Sequence, residues 1–169
     1  MLPLPRLLAS SAEQTCLAFF RCYGTRRVCD HSKVNVHHRG TEDTEVPSAK
    51  LTHHILGAAI SVHRELGAGL LESAYEACLR RELYLRGIPH AWQVPLLVKY
   101  RGMKVDCGYR LDLIVADAVI VEVKAIQKVL PIHKAQVLTY LKLTHLRLGL
   151  LINFNVEVLR SGICRIING

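Results

Sequence analysis

The sequence predicts an α/β domain in which helices flank a mixed β-sheet, in the order α-α-β-β-β-α-β-β. Three observations predict it. Apolar residues recur at helical spacing from Leu51 to about residue 86. Two neighbouring stretches, Tyr109–Val115 and Ala118–Lys124, are β-branched or aliphatic with charges at alternate positions, the pattern of half-buried strands. A later run, Arg147–Phe154, is short and mostly apolar, as suits a strand covered on both faces.

The elements follow in order. Ile55, Ala59, Val62 and Leu66 mark a first helix, which Gly67-Ala68-Gly69 ends. A second runs from about Leu71 to Arg86, with Gly87 as its C′ residue. Within it Glu72, Tyr75, Glu76 and Leu79 follow the i, i+3, i+4, i+7 spacing, so Glu72 and Tyr75 share a side. Strand-like Gln93–Tyr100 comes next, then a turn at Arg101-Gly102 and a long strand from Lys104 to Val115. Pro95 donates no ladder hydrogen bond, which argues for an edge or a bulge, and Gly108 reads as a second bulge. After Lys124 the segment Ala125–Pro131 bends the chain. A helix over Ile132–Leu143, the buried strand Arg147–Phe154 and a short strand Ile163–Ile167 complete the order.

The chemistry concentrates where the two alternating strands meet. Leu111, Leu113 and Val115 must share a buried face with Val119, Val121 and Val123, and parity then fixes the hairpin register. Val115 pairs with Val119 across Ala116-Asp117-Ala118, which sets Asp112 opposite Glu122, with Glu122 and Lys124 on one face. Two carboxylates so placed repel, and burial raises their pKa unless a cation intervenes. A divalent ion with oxygen ligands resolves the conflict, and Mg²⁺ commonly takes only one or two carboxylates beside water and phosphate. Read alone, D-x9-E-x-K also fits a solvated strand face with Asp112 paired to Arg110.

Two further motifs keep it company. Gly69-Leu70-Leu71-Glu72-Ser73-Ala74-Tyr75 reads G-x-x-E-x-x-Y, and Gln136-Val137-Leu138-Thr139-Tyr140 places Gln136 and Tyr140 on one helical face. With Asp112 and Glu122-Val123-Lys124, these residues resemble the GxxExxY family of the PD-(D/E)XK nuclease superfamily, from about Thr52 to Asn168. The resemblance implies a restriction-endonuclease-like sheet and a RecB-like nuclease site. It implies Asp112 and Glu122 as ligands of Mg²⁺ or Mn²⁺, with the Val123 carbonyl as a further ligand. Lys124 would position or activate water, Glu72 and Gln136 would complete the surroundings, and Tyr75 and Tyr140 would support them. Asp106 shares parity with Asp112 and stands as a reserve ligand.

Composition narrows the remaining classes. The chain has 169 residues, half of them apolar, which suits one core and a tail. From Leu51 onward fifteen Lys and Arg stand against nine Asp and Glu, so most of the net +8 belongs to the domain and favours a polyanion. Six cysteines show no C-x-x-C spacing, which excludes a zinc ribbon and suits a reducing cytoplasm. No uncharged apolar run reaches the roughly 18 residues of a membrane span. His53, His54 and His63 have no carboxylate at ligand spacing and read as surface or packing histidines. His133 and Lys134 open the helix that carries Gln136, where basic residues can meet phosphate or simply face water. Trp92 and Tyr100 admit base stacking, although packing is the commoner use of a strand aromatic.

Residues 1–50 carry no sustained period. They read as a poorly ordered extension with a polar linker over Gly40–Ser48 and a short helix near Glu13–Arg21; a transit peptide and translation from upstream of the true start both fit. Residues 51–169 form the nuclease-like domain. The expected activity is metal-dependent hydrolysis of phosphodiester bonds in nucleic acid, with DNA as the expected polymer. The alternative is a non-catalytic nucleic-acid-binding or protein-interaction module that retains the fold. A homodimer or a protein partner is compatible with either.

Overall fold

A computed structural model describes residues 45–105 and 108–169. The predicted N-terminal helix and the reserve ligand Asp106 lie outside the described residues. Helix α1 spans Glu45–Leu66 and begins inside the stretch expected to be a linker. Pro47 falls in its first turn, where a missing N–H costs nothing. Ile55, Ala58, Ala59 and Val62 form its buried stripe, and Gly67, at φ +68°, closes it with its N–H on His63 O at 2.9 Å. Helix α2, Glu72–Leu85, buries Tyr75, Leu79 and Leu83. Its chain reverses at Gly87, whose φ of +66° is the left-handed C′ geometry.

Seven strands follow: β1 (His90–Pro95), β2 (Val98–Tyr100), β3 (Met103–Val105), β4 (Arg110–Val115), β5 (Val119–Lys124), β6 (Leu148–Asn153) and β7 (Ile163–Ile167). Helix α3, Pro131–Thr144, separates β5 from β6, and a 3-10 turn over Leu159–Gly162 precedes β7. The main sheet has the order β1-β4-β5-β6-β7, with β5 and β6 parallel and every other pair antiparallel. This is the expected mixed sheet. The two long strands expected before Val115 are each broken, so the order becomes α-α-β-β-β-β-β-α-β-β. The outer pieces, β2 and β3, pair only with each other, as a separate hairpin. Pro95 ends β1, an edge strand, as its missing donor requires.

Helices cover both faces, which is why β5 and β6 are buried almost throughout and need no polar alternation. On one face Leu113, Val115, Val119, Val121, Val123, Leu150 and Ile152 pack with α1 and α2. On the other, Ile120 and Leu151 pack with Val137, Tyr140 and Leu141 of α3. Gly149 lets α3 lie close on β6, since a Cβ there would come within 2.5 Å of Val137 Cγ1. Leu111 corrects the sequence reading: it belongs to the α3 side, not to the face of Leu113 and Val115. The β4–β5 ladder stops at Leu113↔Val121, and the β1–β4 ladder skips Gln93, which takes φ +48°. Unpaired on both edges at Asp112, the strand twists there and its parity is lost.

Candidate active site

The Val115↔Val119 register is the expected one, with Ala116 and Asp117 left-handed in the turn at φ +50° and +52°. It carries Asp112 to the end of the ladder beside Glu122. Asp112 is not a simple cross-strand partner of Glu122, however. Its Oδ2 accepts the Val123 N–H at 2.9 Å, which turns the carboxylate toward the β5 backbone where the β4 ladder has ended. The N–H and C=O of an extended residue point to the same edge, so the Val123 carbonyl is directed to that gap as well.

Glu122 is only 2 % exposed. Its Oε1 accepts a hydrogen bond from Lys124 Nζ at 2.7 Å, while its Oε2 is buried without a hydrogen-bond partner. Lys124 Nζ also lies 3.6 Å from Glu72 Oε1, at the first turn of α2. Three acids, Glu72, Asp112 and Glu122, thus surround one ammonium. Burial pushes the Glu122 carboxyl up to about 7, with the nearby Asp112 charge adding to the rise and Lys124 opposing it. Burial likewise raises Asp112, against the Val123 N–H and Lys124. Burial works against the Lys124 charge too, but its hydrogen bond to Glu122 and the surrounding carboxylates hold the amine above its ordinary value.

A divalent cation fits this arrangement. A buried carboxylate oxygen without a partner, beside a second carboxylate, gains more from a positive ion than from any neutral donor. Among the described residues no three His, Cys, Asp or Glu side chains gather as ligands. An ion here would rest on Asp112, Glu122 and the Val123 carbonyl and keep waters for the rest, which is the ligand economy of Mg²⁺.

The other expected residues divide. Gln136 donates to the Tyr140 hydroxyl at 2.6 Å, and Tyr140 lies close enough for the charges of Glu122, Lys124 and Asp112 to influence its hydroxyl, which burial chiefly raises. Tyr75 is fully buried and stacked on Phe154 at 4.6 Å. Its hydroxyl donates to Gly67 O at 2.7 Å and accepts from Leu70 N–H at 3.1 Å, pinning the loop that leads into Glu72. His63 Nε2 donates to Val156 O at 2.8 Å, as expected of a packing histidine, while His53 and His54 are exposed. His133 Nδ1 accepts the Leu130 N–H at 3.0 Å and caps α3, whose first residue is Pro131.

Two neighbours were not foreseen. Asn153 ends β6 beside Lys124 and brackets the chain leaving the site: its Nδ2 donates to Ile126 O at 2.8 Å and its Oδ1 accepts the Ile126 N–H at 3.0 Å. A lone amide closing an apolar run was the available signal. Glu76 accepts from Gln93 Nε2 at 2.9 Å, and it is raised by burial and then by the Asp112 charge, so it belongs to the acidic neighbourhood. Only the i, i+4 spacing from Glu72 hinted at this.

Comparison with family models matches residues 49–166, most of the chain, to the PD-(D/E)XK nuclease superfamily. No curated protein and no solved structure matches the chain.

Proposed function

From the premise that this chain belongs to the PD-(D/E)XK nuclease superfamily, we propose that it is a metal-dependent nuclease of the GxxExxY type, acting on DNA. The observation that carries the proposal is Glu122, buried with one oxygen tied to Lys124 and the other left without a partner. Asp112, Glu122 and the Val123 carbonyl would hold Mg²⁺ or Mn²⁺, which when bound supplies a Lewis-acid charge at the phosphodiester. Lys124, kept protonated by its carboxylates, donates hydrogen bonds to the attacking water or to a phosphate oxygen. Glu72 holds the far side of that amine and limits its rotation. Gln136, oriented through the Tyr140 hydroxyl, offers its amide to the phosphate backbone. Cys78 and Cys164 are free thiols, which supports a reducing compartment, the cytoplasm.

The test is cleavage of single- and double-stranded DNA and RNA with Mg²⁺, Mn²⁺ or chelator, beside Glu122→Ala and Lys124→Ala. Metal-dependent products are expected from the native chain, with a loss on the order of 10³-fold in each variant while each remains folded. A folded native chain that neither cleaves nor binds metal would overturn the proposal in favour of a binding module.

A further inference from the structure

The β1–β4 ribbon does not stop at the carboxylates. Its ladder runs from His90↔Val115 to Pro95↔Arg110, continues with the Leu96 N–H on Tyr109 O at 2.8 Å, and resumes as Val98↔Val105 to Tyr100↔Met103. β5 leaves the ladder at Leu113↔Val121, so beyond Asp112 the ribbon carries no third strand among the described residues. It is an arm rooted at the site end of the sheet, with Leu96 packed at its base against the α3-side core.

Its tip is composed against ordinary economy. Tyr100 and Met103 are cross-strand partners on one face of the arm, and each is 60 % exposed. Neither joins either core cluster. The turn between them puts two residues at positive φ, Arg101 at +46° and Gly102 at +83°. The first place in such a turn favours Asn, Asp or Gly. An Arg stands there instead, its guanidinium 5.5 Å from the centre of the Tyr100 ring. From His90 to Val105 the chain holds Lys99, Arg101 and Lys104 and no Asp or Glu.

We infer that the β2–β3 arm is a clamp for an unpaired nucleic-acid strand, which it leads toward the Asp112–Glu122 end of the sheet. The reading takes its substrate class from the nuclease proposal and adds the strand state. Aromatic and thioether side chains gain from the open face of a base, and a duplex hides those faces in its own stack except at its ends. The basic residues beside them meet backbone phosphates whatever the sequence.

The experiment is fluorescence-anisotropy binding of the full chain, in chelator so that nothing is cut, to a labelled oligo-dT strand and to a blunt duplex of equal length. Tyr100→Ala/Met103→Ala is expected to weaken single-strand binding by about tenfold or more and to leave duplex binding within about twofold. Tyr100→Phe keeps the ring face and is expected to bind as the native chain does. Arg101→Gln/Lys104→Gln is expected to weaken both and to flatten the salt dependence of log K by about 1–2. Equal losses on both polymers with the aromatic pair, no loss on either, or a change of oligomeric state in place of a change in binding would each overturn the clamp. A native chain that cleaves normally while the arm variants bind unchanged defeats the clamp and spares the nuclease. Arm-dependent binding by a chain that never cleaves does the reverse.

Discussion

At its Val119 end, β5 is paired on both edges, to Val115 across a tight turn and to Leu148 in parallel, and its side chains there are apolar and fully buried. At its Lys124 end the β4 ladder has ended, and burial disfavours the charges of Glu122 and Asp112 beside Lys124 and Glu72. The first end follows the rules of a stable sheet: satisfied backbone, shared parity, dense packing. The second, within the same strand, loses the β4 ladder and buries charge instead, with the Val123 N–H held by the Asp112 carboxylate. Its carboxylates are kept together although metal-free folding would be easier without them. Such local departures from good packing mark where a protein meets something else.

Mutations that separate the two ends give the largest effect. Leu150→Ala, in the fully buried centre of the sheet, is expected to cost about 2–5 kcal/mol of stability while leaving turnover of the folded fraction within a few-fold. Glu122→Gln is expected to do the opposite, abolishing cleavage while the metal-free melting temperature at pH 8 stays level or rises. Thermal unfolding and cleavage measured on both variants would break the comparison if either moved the two readouts together.

The pH dependence sharpens it at somewhat smaller scale. Glu122 rises from 4.5 to about 7 on folding, so between these values the native state binds more protons than the unfolded one. Its contribution therefore falls as pH rises from about 4.5 to about 7, by roughly 3 kcal/mol in all, and stays lost above. Metal-free protein is expected to show this slope and Glu122→Gln to lack it. Added Mg²⁺ should raise the melting temperature more at pH 8 than at pH 5.5, because a protonated Glu122 is a poor ligand. An equal shift at both pH values would remove Glu122 from the ion's ligands.

The smallest effect concerns the seam between the two ends. Asn153→Ala removes both bonds to the Ile126 backbone and leaves buried polar groups unmatched, at about 1–3 kcal/mol. It is expected to slow cleavage without altering the Mg²⁺ concentration needed for half-maximal rate. A large shift in that concentration would make Asn153 part of the ion's surroundings instead.

The stable end was legible in the sequence, and the charged end only in part. Alternating Val and Leu set the hairpin register, Gly87 marked the end of α2, and Pro95 pointed to an edge or a bulge, because each acts on its own stretch of chain. That Glu122 and Lys124 share a face followed from spacing alone; their hydrogen bond did not. The twist that sends Leu111 to the α3 side did not, because it arises where two neighbouring ladders stop together. Nor did the break of the long strands into a separate arm, nor the reach of Asn153 from β6 to Ile126. These depend on partners far away in sequence, and no local period encodes them. The start of α1 at Glu45 was missed for a simpler reason: a polar first turn looks like a linker.

The parallel pairing of β5 with β6 has a consequence in time. Parallel strands cannot be joined by a tight turn, so β5 gains its second neighbour only after α3 and β6 have been made. A chain emerging from the ribosome can close the β4–β5 hairpin early, but Glu122 is then still wet and its acidity ordinary. The environment that sets it apart arrives with the last strands, so this centre is armed late, by the completion of the sheet around it.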